Sequence, residues 1–342
     1  MTVTGASATV RVMSPEEIAS RAGGETPFLW WPQRGTLFAE RAMRLRQLAQ
    51  GHAMQDFLAF MADLGQAQQA ALADFPSVPL PDAAALDTAA RQGVPPLPAV
   101  DWPRDPAWHD ALRRITAKLR AAGVPEGVRS VLDRLDQADA DTLEQQADCL
   151  LTGVMEGLDM ASAPFVAAAL QVYWTHMVLT VQQRHQSGGQ PFGRIDDETV
   201  CPCCGSKPTA SVTRSAGESL GQRYLCCSLC GVHWHMVRIK CPHCLSGKGL
   251  AYLSLDVPDG EAEGSAQRAA NAAIQAETCD DCGHYLKIVH TDRDPFAEPV
   301  ADDLASLTLD LLVSDTGKTR HGVNLMLLFG EPEPPPPNSG AG

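Results

Sequence analysis

The chain has 342 residues, with 41 Asp or Glu against 27 Lys or Arg, for a formal charge of −14 at neutral pH. That length suggests about two domains and a core that needs no metal or disulfide merely for want of size. The acidic balance argues against a general binder of nucleic acid or of anionic membrane, both of which call for clustered basic surface.

The opening run MTVTGASATVRVMSPEEIAS has neither the charged start nor the long apolar core of a secretion signal, so the expected location is the cytoplasm. Phe38, Ala42, Leu45 and Ala49 recur at helical spacing. Phe57, Met61, Leu64, Gln68 and Ala71 continue the pattern after Gly51, with Asp56 placed to cap the second helix. From Pro76 to Pro106 the runs VPLPD and VPPLPAVDWPRDP favour extended or polyproline backbone. Helical periodicity resumes at Trp108, Leu112, Ile115 and Leu119. Asp141–Leu151 and Pro164–Arg184 make two further helices, with Pro164 tolerated in a first turn. The most apolar run, Ala163–Met177, carries Pro164, Gln171, Thr175 and His176, and falls short of the roughly 20 apolar residues of a membrane span. Residues 15–186 thus predict a bundle of five to seven helices. With Cys149 as its one cysteine, this half is expected to fold without metal.

A Gly- and Pro-containing stretch, HQSGGQPFG, marks a linker over residues 187–200. Short β-like runs follow at Ala210–Thr213, Arg223–Cys226, Trp234–Ile239, Leu250–Leu255 and Tyr285–His290. ADDLASLTLDLL reads as a helix with Leu304, Leu307 and Leu311 on one face and Asp302 or Asp303 suited to its N-terminus. Residues 331–342, rich in proline, are expected to be disordered. The expected fold class is α+β: an N-terminal α-helical bundle, two tandem rubredoxin-like or zinc-ribbon metal modules of four cysteines each over 201–240 and 241–292, and a C-terminal helix within a packing segment over 293–330.

The chemistry lies in four C-x-x-C pairs: Cys201/Cys204, Cys227/Cys230, Cys241/Cys244 and Cys279/Cys282. Each such turn sets two sulfurs on one side of a tight knuckle, and two knuckles make a tetrahedral four-thiolate site. Eight cysteines therefore predict two metal ions per chain. Gly205, Gly231 and Gly283 follow three of the pairs, where glycine accepts a left-handed backbone; Leu245 follows the other. The intervals of 22, 10 and 34 residues suit sequential pairing through two hairpins, although spacing alone leaves interleaved pairing open. Iron and zinc both accept tetrahedral thiolate, and the sequence does not choose between them.

Cys203 and Cys226 lie beside ligands and read as incidental small residues, with redox-sensitive thiols or alternate ligands as the competing readings. Cys149 reads as core filler. His233, His235 and His243 sit among the pairs, but the four-cysteine sets are complete without them. No P-loop, nucleophile elbow or H-E-x-x-H motif is present.

The runs CPCCGSKPTASV, RYLCCSLCGVHWHMVRIKCPHC, AETCDDCGHYLKIV and ADDLASLTLDLL closely resemble the FdhE family of formate dehydrogenase accessory proteins. The resemblance is dense over Cys201–Leu312 and looser through Arg41–Ala49 and Phe57–Gln68. It implies a cytoplasmic bacterial protein needed for active respiratory formate dehydrogenase. Such a protein would contact the catalytic subunit, which carries molybdenum and selenocysteine, before its export by the twin-arginine route. The family's iron-binding motifs fall on all eight cysteines named above.

Three functions compete. A maturation factor would bind the immature catalytic subunit without turnover. A rubredoxin-like electron carrier or thiol redox protein would need a usable redox couple. A zinc-ribbon nucleic-acid binder would use Arg214, Arg223, Arg238, Lys240, Lys248 and Lys287, but Asp256, Asp259, Glu261, Glu263, Asp280 and Asp281 offset them. The first reading is preferred, with no membrane insertion and no nucleic-acid partner.

Overall fold

A computed structural model describes residues 26–185, 191–216, 219–255 and 272–328. The start of the expected helical half, part of its linker and the tail over 331–342 lie outside the described residues. Among the described residues, seven helices separate a short first strand from the other strands of the sheet. They are α1 (Leu37–Ala49), α2 (Gln55–Ala73), α3 (Ala83–Gln92), α4 (Ala107–Ala122), α5 (Glu126–Gln137), α6 (Ala140–Thr152) and α7 (Ala163–Arg184).

The apolar spacings read in the sequence become buried stripes. Phe38, Ala42, Leu45 and Ala49 of α1 are buried, as are Trp108, Leu112, Ile115 and Leu119 of α4. Asp56 lies inside the first turn of α2 rather than at its cap, which is Met54; its charge still suits that helix end. The proline-rich passage is not extended throughout. Its alanine-rich centre forms α3, capped by Asp82, whose carboxylate accepts from the Ala85 amide.

Helix α7 is long and apolar enough to cross a membrane by composition, yet 83% of its most apolar window is buried inside the fold. Apolar residues on all its faces make it the central helix of the core. One side packs on α2, where Gln68 Nε2 donates to Gln171 Oε1 at 2.8 Å. The same Gln171 amide group donates through Nε2 to the Ser228 carbonyl at 2.7 Å, tying α2 and α7 to the first cysteine module.

The strands are β1 (Leu29–Trp30), β2 (Pro208–Ala216), β3 (Ser219–Cys227), β4 (His233–His235), β5 (Leu250–Leu253), β6 (Ile274–Cys279), β7 (His284–His290) and β8 (Thr319–Arg320). They form one sheet in the order β1-β4-β3-β2-β7-β6-β5, with β8 beside β7. Antiparallel hairpins β2–β3 and β6–β7 belong to the first and second cysteine modules. The two are joined by parallel pairing of β2 with β7, Val212 standing opposite Val289. From the helical half, β1 adds Leu29 and Trp30 to β4.

Two expected strands are shorter than their sequence runs. Trp234–Ile239 contributes only to β4, because the carbonyls of Met236, Val237 and Lys240 turn aside to accept from the Arg223 guanidinium. Leu250–Leu255 yields β5, which stops at Leu253. Strand β6, with only one β-branched aliphatic residue in IQAETC, was not expected as a strand.

The C-terminal run forms two helices, α8 (Pro299–Ala305) and α9 (Leu307–Asp315), not one. The break falls at Ser306, whose hydroxyl donates to the Asp302 carbonyl. The expected face holds only in part: Leu304 is buried, but Leu311 is 65% exposed and Leu309 and Val313 are buried in its place. Glu298, not an aspartate, caps α8. Asp302 is buried and pairs with Arg44 of α1, and buried Asp303 pairs with Lys287 and Arg320, so these aspartates fasten the C-terminal segment to the bundle and the sheet.

One core spans the helices and the first module, and a smaller one of Ala276, Tyr285, Leu309 and Val313 lies under the second. The larger contains Phe38, Leu58, Trp108 and Trp174 of the helices together with Cys201, Cys204, Leu225, Leu229 and Trp234 of the first module. The helical half thus shares its core with the first cysteine module.

Candidate metal centres

Backbone geometry aims the thiols. In the first knuckle the Gly205 amide donates to the Cys201 carbonyl and the Cys201 amide to the Ser206 carbonyl. Gly205, Gly231 and Gly283 take φ of 73°, 71° and 72°. Leu245 takes φ of 62° and its amide donates to the Cys241 carbonyl, so the turn lacking glycine has the same shape. A left-handed leucine costs about 1–2 kcal/mol, which the surrounding knuckle must offset.

Cys201, Cys204, Cys227 and Cys230 converge, as do Cys241, Cys244, Cys279 and Cys282, with the sulfurs of each set within 4.8 Å of one another. The pairing is therefore sequential. In the first set the Sγ–Sγ separations include 3.4 Å for Cys204–Cys227, 3.6 Å for Cys201–Cys230 and 3.7 Å for Cys204–Cys230. In the second set, Cys241–Cys282 and Cys244–Cys279 are each 3.8 Å apart. A tetrahedral ion with metal–sulfur bonds of about 2.3 Å requires sulfurs about 3.8 Å apart, so both sets fit one. Amides assist: those of Leu229 and Cys230 point at Cys227 Sγ, and that of His243 at Cys241 Sγ, all at 3.4 Å.

Electrostatics favour a cation. Burial pushes the Cys201, Cys227 and Cys230 thiols well above their ordinary value. At Cys204 burial acts in the same sense, but contacts from Cys201, Cys227, Cys230 and Ser206 outweigh it and hold that thiol low. Four thiolates gathered in an apolar interior need a cation among them.

The two centres differ in exposure. All four sulfurs of the first belong to buried residues, but Cys244 of the second is exposed and Cys282 partly so. The first is sealed by the helical half: Thr175 of α7 donates to the Cys230 carbonyl, and the Leu97 and Ala99 amides of the proline-rich passage donate to the carbonyls of Cys203 and Cys204.

Comparison with known proteins agrees with this architecture. Three family models match in succession: FdhE, N-terminal, over residues 26–189; FdhE, central domain, over 200–238; and FdhE, C-terminal domain, over 239–327. An FdhE homolog of Edwardsiella ictaluri is 39% identical over 326 residues, covering 94% of this chain and 99% of the relative. The chain belongs to the FdhE family. A second relative, the FdhE homolog of Pseudomonas aeruginosa, is 39% identical, covering 93% of this chain and 98% of its own. The crystal structure of the FdhE protein from Pseudomonas aeruginosa superposes with a TM-score of 0.73 at 38% identity, covering 88% of this chain and 99% of that one.

The other cysteines and the histidines singled out in the sequence take separate places in the fold. Cys203 and Cys226 are buried, and burial raises both thiols. Cys149 is only half-buried and sits 3.5 Å from the Glu156 carbonyl, so it does not fill the core. His233 and His235 lie on β4, where they meet Arg214 and Gln222. His243 stacks on His284 at 3.7 Å beside the second centre, with His321 edge-on to it at 4.9 Å. Sequence reasoning missed His284 and His321, although His284 immediately follows the Cys282–Gly283 knuckle.

Proposed function

We propose that this chain is a cytoplasmic accessory protein in the maturation of a respiratory formate dehydrogenase, acting by binding the enzyme's catalytic subunit before export. FdhE-family membership over nearly the whole length carries this reading. We further infer that Cys201, Cys204, Cys227 and Cys230 hold one structural iron or zinc ion, and that Cys241, Cys244, Cys279 and Cys282 hold the other. Four sulfurs fill a tetrahedron and leave the metal no open position for substrate, which supports binding rather than turnover. The acidic balance of the chain supports a protein partner over nucleic acid.

The test is a pull-down of the tagged chain from anaerobic cells, with metal analysis of the same sample and formate-oxidising activity measured in a deletion strain. The expected outcome is near-integral recovery of the catalytic subunit, and lost activity despite its continued synthesis. Recovery of no dehydrogenase subunit would sink the proposal.

Exposure of Cys244 at the second centre favours one competing reading, electron transfer to the immature enzyme, since an outward thiolate shortens the path to a docked partner. Reconstitution separates the two. Zinc-loaded protein that still matures the dehydrogenase supports binding. Activity restricted to iron-loaded protein, with visible absorption that bleaches on adding the subunit, supports electron transfer.

A further inference from the structure

Arg214 of β2, His233 of β4 and Trp30 of β1 line a cleft of about 460 Å³ that is closed on its other sides by α1 and the loop before α8. The Arg214 guanidinium lies 5.2 Å over the Trp30 ring. Its Nε and Nη2 donate to His233 Nδ1 at 3.3 and 3.1 Å. That acceptor is a neutral imidazole, held so by burial and by Arg214 and Arg41 nearby, and it supplies no negative charge. Arg41, Arg44, Arg223 and Arg320 each meet a carboxylate. Among the described residues, Arg214 meets none.

The acids that line the cleft do not fill this role. Glu298 is taken by Arg41 Nε and by the Ala301 amide, and Glu40 stands exposed at the rim, where its charge reaches Arg214 without forming an ion pair. The mouth is apolar: Phe296 is 67% exposed and Met43 53%. A half-buried cation with no ion-paired carboxylate among the described residues, set in aromatic walls on an otherwise acidic protein, is complementary to a carboxylate attached to an apolar body.

We propose that this cleft docks an extended acidic segment of a partner protein, with a carboxylate on Arg214 and a neighbouring apolar side chain against Phe296 and Met43. The volume favours a peptide, since a small free carboxylate would leave most of it empty. The inference needs no dehydrogenase and stands or falls apart from the maturation role.

Fluorescence anisotropy of the full chain tests it, using a labelled pentapeptide with one Glu between Leu and Phe, and its Gln twin. The Glu peptide is expected to bind about ten-fold or more tightly than the twin, and to weaken as salt is raised. Arg214→Gln should bring its affinity down to that of the twin. Phe296→Ser, at an exposed position outside the core, should weaken both peptides while leaving circular dichroism and metal content unchanged. Equal binding of the two peptides, or absent binding, overturns the proposal. Acetate that displaces the peptide at equal concentration overturns it in favour of a small-anion site. Self-association that Phe296→Ser abolishes overturns it in favour of a second copy of this chain.

Discussion

Arg223 of β3 and Glu277 of β6 form an ion pair between the two cysteine modules in which neither side chain has any exposure. Arg223 also donates to the carbonyls of Val237 and Lys240, so one guanidinium holds the first module, the second module and the chain between them. Burial pushes the Glu277 carboxyl up, and Arg223 opposes that shift. The pair adds little net stability, because two charges taken out of water recover little more than their desolvation.

Removing one partner should therefore be far worse than removing both. Arg223→Met is expected to destabilise the chain by about 3–5 kcal/mol by stranding Glu277, and Arg223→Met with Glu277→Leu to recover most of that. Urea unfolding monitored by Trp fluorescence, with metal content followed alongside, measures the difference. A double variant as unstable as the single one would show that the ion pair itself is indispensable.

The unequal exposure of the two centres sets an order of metal loss. A hydrophilic chelator added to the native protein should strip the ion at Cys241, Cys244, Cys279 and Cys282 first, and the sealed one only on unfolding. Two kinetic phases, the fast one absent from a Cys241→Ser variant, are expected in a colorimetric chelation assay. Cys201→Ser and Cys227→Ser should each remove the slow phase alone.

A fragment ending near residue 185 is expected to be helical but without a sharp unfolding transition. It keeps α1 to α7 but loses the apolar surface of Leu225, Leu229 and Trp234, as well as the acceptors of Gln171 and Thr175. Thermal melts by circular dichroism decide. A cooperative melt matching the intact chain would mean that the bundle re-closes over α7.

His176 links stability to pH. Its Nδ1 accepts from Arg34 Nη2 at 3.1 Å, which requires the neutral ring. Burial first, then Arg34 and Arg184, lower its pKa from 6.5 to about 4. Between those values the unfolded chain binds the proton and the folded one does not. Stability is present in full above about pH 6.5 and falls as pH drops towards about 4. A His176→Gln variant, which keeps an acceptor but cannot titrate, should show a shallower fall over that window in urea midpoints.

What could be read directly was local. Eight cysteines in four C-x-x-C pairs announce two sets of four, because a C-x-x-C turn is complete within five residues; which pairs share a set was left to the fold. Phe38, Ala42, Leu45 and Ala49 identify α1 because helical periodicity is a property of neighbours along the chain. The tertiary structure alone decided the rest. Leu245 carries no sign that it will adopt the conformation of Gly205; the knuckle imposes it. Nor does any local signal say that β2 runs parallel to β7, that Arg223 reaches Glu277 or that α7 packs on the first set of four cysteines. Those contacts join residues more than fifty positions apart, and their energy comes from burial shared by both partners, which neither segment contains by itself.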